Sequence, residues 1–171
     1  MSPTEKRIFL TWRDVERLID VLMPKFRHEF QAMVIITRGG IVPGGMLADA
    51  MGITHILTAA VDFPAQMASE KNKLMVWPEF IQFPSSDKLI GRTTLIVDDV
   101  WAGGRTITAV KNRVSAAGGF PETCVLHFSP YRNLFKASHP DYYADVTDAY
   151  ITYPWEVARG GDMAMVMGDG I

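Results

Sequence analysis

Hydrophobic positions along this chain follow two alternating rhythms. The first has helical spacing: Val15, Leu18, Ile19 and Leu22 follow Thr11, and Asp14 completes a capping box with it, which predicts a helix ending near Pro24. The second is the short unbroken run. Ala32–Ile36 leads into Arg38-Gly39-Gly40 and predicts a strand buried on both faces. Pro43 then suits a helix start, Met46, Leu47, Ala50 and Met51 supply its buried face, and Gly52 ends it. His55–Val61 and Thr93–Val97 repeat the buried-strand pattern. Ile107, Val110 and Val114 mark a further helix closed by Gly118-Gly119, and Thr123–Phe128 is a fourth strand. Tyr142–Val146 and Tyr150–Thr152 are late strand candidates, and the Gly- and Met-rich tail after Arg159 has no clear period.

Strands that alternate with helices predict an α/β domain with a mainly parallel sheet and helices on both faces. The chain shows no internal repeat and no linker, so residues 1–171 are expected to form a single domain. The interval 62–92 is different. Pro64, Pro78 and Pro84 interrupt it, polar residues cluster from Ser69 to Lys73, and Phe80-Ile-Gln-Phe83 is a short strand candidate. A long irregular segment predicts a flexible loop that acts as a lid, with a poorly ordered insertion as the alternative. Lys71 and Lys73 would then reach a ligand or form an exposed charged tip.

Composition narrows the function. A chain of 171 residues, 48% hydrophobic and 21% charged, is long enough for one sizeable core. Its 17 basic and 19 acidic residues leave a net charge of -2, without the basic excess that binds nucleic-acid phosphates. Any phosphate site must therefore be local. No apolar run approaches the roughly 20 residues that span a bilayer, and charge precedes the short apolar patch near the amino terminus, so no membrane association and a cytoplasmic location are expected. The single Cys124 excludes a disulfide within the chain and reads as a small core residue. His28, His55, His127 and His139 lack metal-ligand spacing, and the ten methionines sit in apolar positions as core packing. The apolar average predicts a homo-oligomer, a dimer or a tetramer.

Two glycine-rich loops follow predicted strands and precede predicted helices, which is where ligands collect in an open parallel sheet. In Ala102-Gly103-Gly104-Arg105-Thr106, the glycines let main-chain N–H groups turn toward an anion, the helix start favours phosphate, and Arg105 and Thr106 add a cation and a hydroxyl. Ahead of it, Asp98 and Asp99 form a carboxylate pair whose burial requires partners, for which sugar hydroxyls and Mg²⁺ are suited. Neighbouring strand positions face opposite ways, so one acid is expected to hold ribose hydroxyls and the other metal-bound water. The second loop, Thr37-Arg38-Gly39-Gly40-Ile41-Val42-Pro43, suits a pyrophosphate group. The chain contains neither G-x-G-x-x-G nor a lysine-terminated phosphate loop.

The apolar strand, Asp98-Asp99 and Gly104-Arg105-Thr106 resemble the phosphoribosyl pyrophosphate motif of type I phosphoribosyltransferases. Thr37–Gly44, Leu47-Ala48 and Gly52-Ile53 are similar to the pyrophosphate loop and helix of the family's bacterial xanthine-guanine members. Thr11-Trp12 and Tyr150-Ile-Thr-Tyr-Pro-Trp-Glu156 extend the likeness over most of the chain. The resemblance implies a mainly parallel twisted sheet flanked by helices, with a small hood at about 129–160 and a flexible loop at 62–92. It implies Mg²⁺-dependent transfer of ribose 5-phosphate from phosphoribosyl pyrophosphate (PRPP) to a nucleobase, with a purine expected for salvage. It further implies that Asp98 and Asp99 are catalytic, that Asp99 serves the metal, and that Ala102, Gly103, Gly104, Arg105 and Thr106 bind the 5-phosphate. Arg38, Gly39 and Gly40 would bind pyrophosphate, with a non-proline cis peptide before or near Arg38. Tyr150, Ile151 and Glu156 would bind the base, Tyr150 as a stacking platform, although an aromatic on a late strand also suits the core.

The chain departs from the family's 6-oxopurine pattern at three positions. Ala102 stands where those enzymes have an aspartate, Gly103 where they have a threonine, and Ser129 where they present a lysine to the purine oxygen. Adenine-type members also carry alanine at the first position, so the acceptor base stays open. These departures motivate a competing class, a PRPP-binding regulator without transferase activity. A generic fold-mate with an unrelated ligand would share only the sheet.

Overall fold

A computed structural model of the chain describes residues 6–63 and 77–157. The first helix, α1 (Trp12–Leu22), begins where the capping box places it: Thr11 Oγ1 accepts the Asp14 N–H at 3.2 Å, and the Thr11 N–H donates to Asp14 Oδ2 at 2.8 Å. Val15, Ile19 and Leu22 form its buried face. Strand β1 (Arg7–Phe9) precedes it. No periodicity predicted this strand, because three residues are too short to show one.

Strands β2 (Ala32–Ile36), β3 (Ile56–Asp62), β4 (Glu79–Gln82), β5 (Thr93–Trp101), β6 (Phe120–Phe128) and β7 (Tyr142–Val146) form one sheet in the order β4-β3-β2-β5-β6-β7. All pairings are parallel except that of the edge strand β4 with β3. Strand β8 (Tyr150–Thr152) pairs in parallel with β1 in a separate two-stranded sheet, with Arg7 opposite Tyr150.

Alternation along the central strands divides the interior into two layers. Met33 and Ile35 of β2, Leu95 and Val97 of β5, and Cys124 and Leu126 of β6 pack against α1 and against α2 (Ile41–Met51). Val34, Ile36, Ile96 and Val125 face the opposite side, where they meet Ile107, Val110 and Val114 of α3 (Arg105–Ala116). Helices thus cover both faces, and Cys124 is a fully buried core residue.

The connections determine where a ligand can bind. The β2-α2-β3 unit runs toward one edge of the sheet and the β5-α3-β6 unit toward the other. Two parallel crossovers of the same hand that diverge from adjacent strands place their helices on opposite faces. A crevice therefore opens between the carboxyl ends of β2 and β5, the point where the strand order reverses.

Several boundaries differ from the sequence reading. Helix α2 starts at Ile41 rather than Pro43, and β6 starts at Phe120 rather than Thr123. Strand β5 continues past Val97 to Trp101, because Val100 and Trp101 still pair with His127 and Phe128. Asp98 and Asp99 consequently stand inside the strand, not in the loop after it. Of the segment 62–92, residues 79–82 form β4 and Ser86–Lys88 form a 3-10 turn. The expected loop tip with Lys71 and Lys73, like the tail after Arg159, lies outside the described residues.

Candidate active site

Asp99 is buried at the end of β5 and Asp98 is partly buried beside it. The two are locked into the strand: the Asp99 N–H donates to Asp98 Oδ1 at 3.0 Å, and the Val100 N–H donates to Asp99 Oδ1 at 2.7 Å. Burial pushes both carboxyls up, Asp99 to about 6, with the Glu156 charge adding to its shift. Asp98 is raised well above the ordinary carboxylate range by burial and then by the Asp99 charge. Among the described residues this acidic cluster has no cationic partner, and its electrostatics favour an incoming cation or hydroxyl donor.

The two glycine-rich loops flank these acids. A hollow of 320 Å³ is lined by Asp98, Val100 and the whole stretch Ala102 to Ile107, with Phe63 opposite. Gly104 caps α3 at φ +78°, a left-handed conformation, and a side chain there would strike the Trp101 ring. Among the described residues no side chain caps the start of α3, which leaves its first N–H groups available to an anion. The Arg105 guanidinium lies 4.1 Å from the ring centroid of Phe63, and both residues line the hollow.

A second, adjoining cleft of 630 Å³ joins both loops: Thr37, Arg38 and Gly39 on one side, Asp98, Asp99 and Thr106 on the other, closed by Trp155 and Glu156. The Thr37–Arg38 peptide is cis, where the resemblance anticipated one. Arg38 is exposed, and Gly39 packs directly on the Asp99 carboxylate, leaving no room for a methyl group.

The remaining wall comes from the chain after β8. Tyr153, 1% exposed, donates its hydroxyl proton to the main-chain oxygen of Asp99 at 3.0 Å and therefore accepts from His127 Nδ1 at 2.8 Å. Burial pulls the His127 imidazole below its usual range and pushes the Tyr153 phenol far up, so a neutral histidine faces a protonated tyrosine. The Tyr153 N–H also donates to Glu156 Oε2 at 2.8 Å, and its ring stacks on Trp155 at 4.6 Å. Nothing in the local sequence marks Tyr153 or His127, since both act across the fold.

Most of the expected site residues converge. Asp98, Asp99, Arg38, Gly39 and Thr106 share the larger cleft, and Ala102 to Thr106 line the hollow; Gly40 is buried against the main chain of β2 and β5. Glu156 lines the larger cleft, whereas Tyr150 and Ile151 are not among its lining residues. Tyr150 stands on β8 with 41% exposure, so it is not a core aromatic. Ile151 is partly buried against the α1 layer. Ser129 is buried, and its hydroxyl has no hydrogen-bond partner among the described residues. No three His, Cys, Asp or Glu side chains among the described residues form a metal cage by themselves. Mg²⁺ commonly binds through one or two carboxylates plus substrate phosphates, and the Asp98-Asp99 oxygen donors fit that mode.

Comparison with known proteins agrees with this geometry. A family model described as a phosphoribosyl transferase domain matches residues 10–159. Among solved structures, a purine phosphoribosyltransferase from Pyrococcus horikoshii is 26% identical, with a TM-score of 0.76 over 90% of this chain and 97% of that one. A hypothetical protein from Neisseria gonorrhoeae with bound ppGpp shares the fold at 22% identity and TM-score 0.76, over 92% of this chain and 93% of that one. The Helicobacter pylori xanthine-guanine-hypoxanthine phosphoribosyltransferase shares it at 12% identity and TM-score 0.74, over 95% and 99%. With the motif loops meeting at the switch point and the family match spanning nearly the whole chain, this protein belongs to the phosphoribosyl transferase domain family and is a phosphoribosyltransferase.

Proposed function

We propose that the protein transfers ribose 5-phosphate from PRPP to a purine, in purine salvage, with Mg²⁺ as cofactor. The observation that carries this reading is the cleft in which Arg38 and Gly39 face Asp98, Asp99 and Thr106. The likeness to the purine phosphoribosyltransferase from Pyrococcus horikoshii supports a purine acceptor.

Displacement at the anomeric carbon develops positive charge on the ribose and negative charge on the departing pyrophosphate, so catalysis is chiefly positioning and electrostatics. In this reading Ala102 to Thr106 and the start of α3 hold the 5-phosphate, fixing the sugar over β5. Asp98 accepts hydrogen bonds from the ribose hydroxyls. Arg38, with the N–H groups of Gly39 and Gly40, binds the leaving pyrophosphate. Asp99 would hold Mg²⁺ through its carboxylate or a bound water, and the ion would neutralise pyrophosphate charge. Tyr150 and Ile151 form the base side, and Glu156 closes the cleft. The described residues contain no helix long and apolar enough to cross a membrane. We further propose that residues 1–171 work as one domain, in the cytoplasm, as a homo-oligomer, which the exposed apolar side chains of Trp77, Ile81 and Phe120 support.

The test is pyrophosphate release from PRPP and Mg²⁺ with a panel of purine and pyrimidine bases, run beside direct PRPP binding. Release is expected with at least one purine and is abolished in Asp99→Asn. PRPP binding without release for any base would favour a regulator, and absence of PRPP binding would overturn the site.

A further inference from the structure

The base side of the site is poor in side-chain donors. The side chains of Ala102 and Gly103 offer no polar group, and the Ser129 hydroxyl is buried without a partner among the described residues. Trp155 Nε1, buried at the larger cleft without a partner among the described residues, is one exception, and Arg132 is the other. Its guanidinium lies over the ring of Tyr150, with Cζ 3.6 Å from the centroid, the separation at which a stacked base would sit. One terminal N–H group donates to the main-chain oxygen of Asp148 at 3.2 Å. The guanidinium makes no other hydrogen bond among the described residues.

The backbone that carries Arg132 is tied to the Ala102-Gly103 loop from both sides. The Ser129 N–H donates to the Trp101 oxygen at 2.8 Å, and the Arg132 N–H donates to the Ser129 oxygen at 3.2 Å. Beyond it, the Leu134 N–H donates to the Gly103 oxygen at 3.1 Å, and Trp101 Nε1 donates to Asn133 Oδ1 at 3.1 Å. The side chain therefore starts from a fixed point beside the donor loop, while its tip is held by a single hydrogen bond and one ring face. Such a tip can be displaced without moving the backbone.

We propose that Arg132 selects the acceptor: an incoming base displaces the guanidinium from the Tyr150 ring, and the freed N–H groups donate to a carbonyl oxygen on the base's edge, favouring oxopurines over adenine. This rests on the function proposed above, with Tyr150 as the base platform. A purine offers a larger stacking surface than a guanidinium and so competes for the ring. Guanidinium is a donor only, with N–H groups in a planar fork that matches acceptor atoms at one edge. An exocyclic amino group at that edge would set N–H against N–H and leave the fork unpaired, which a site built for hydrogen bonding discriminates against strongly.

The experiment compares kcat/KM for hypoxanthine, xanthine, guanine and adenine, read as pyrophosphate release at saturating PRPP, in wild type, Arg132→Met and Arg132→Lys. In wild type the best oxopurine is expected to exceed adenine by about tenfold or more, and Arg132→Met should lower that ratio by about tenfold, mainly through the KM for the base. Arg132→Lys should fall between, since an ammonium keeps the charge without the fork. The ratio within one preparation cancels the fraction of active protein, so partial misfolding of a variant does not obscure it. An unchanged ratio in Arg132→Met, or a wild type that prefers adenine, overturns the role of Arg132 while transfer to purines stands. No release with any purine overturns both.

Discussion

Gly39→Ala tests directly whether the two loops meet as described. A methyl carbon built on Gly39 would lie 2.5 Å from Asp99 Oδ1, 2.6 Å from Cγ and 2.7 Å from Oδ2. Ordinary contact starts at about 3.5 Å, so the carboxylate must retreat by roughly 1 Å. Retreat strains the 2.7 Å hydrogen bond it accepts from the Val100 N–H, a bond to a charged group worth about 1.5–3 kcal/mol. Gly39 does not have positive φ, so alanine suits the backbone and contributes its own stabilisation of about 0.4–1 kcal/mol. The net loss of about 0.5–2.6 kcal/mol corresponds to a fall in Tm of roughly 1–10 °C for a domain of this size. Function should suffer more, because misplacing a reacting group by about 1 Å costs on the order of 100-fold in rate. Steady-state pyrophosphate release with varied PRPP, beside a thermal melt, reads both effects. A variant with kcat/KM within about threefold of wild type and an unchanged Tm would refute the packing of Gly39 on Asp99.

Two further outcomes follow from the buried network. Tyr153→Phe deprives the Asp99 carbonyl and His127 Nδ1 of their shared partner; a stability loss of about 1–3 kcal/mol is expected by chemical denaturation, with slower turnover, and an unchanged midpoint would refute the bonding. The pH dependence of the ligand-free protein has a definite sign at Asp99. Its folded-state pKa of about 6 lies above the unfolded value, so the native state binds the extra proton, and stability falls as pH rises from about 4 to 6 and stays low above. The difference amounts to about 3 kcal/mol at most for one such group. His28 and His127 titrate in neighbouring ranges with opposite shifts, so the measurement is the Tm profile of wild type minus that of Asp99→Asn from pH 4.5 to 7.5. Mg²⁺ should flatten the difference by favouring the ionised carboxylate, and coincident profiles without Mg²⁺ would refute the shift.

Local sequence carried much of the architecture. The capping box at Thr11 and Asp14, the unbroken apolar run of β2 and the helical spacing of Ile107, Val110 and Val114 are each written within a dozen residues, and each forms as expected. Their alternation implied the parallel sheet, and the loops after β2 and β5 implied the binding end. The misreadings occurred where local appearance and pairing disagree. The apolar run stops at Val97, before Asp98-Asp99 and a glycine pair, yet hydrogen bonding to β6 carries the strand on to Trp101. The three residues of β1 become a strand only because β8 lies beside them.

By itself, then, the sequence determined the order and kind of the main elements, the two anion-suited loops and the acidic pair, because propensity, capping and glycine chemistry act over a few residues. Only the tertiary structure decided how these parts face one another. It brought Gly39 against Asp99 across 60 residues of chain, let Tyr153 bridge His127 and the Asp99 backbone, and laid Arg132 on Tyr150. Such contacts depend on strand order and crossover hand, which no local pattern encodes. They exist once packing has closed the sheet and buried the groups that must find partners.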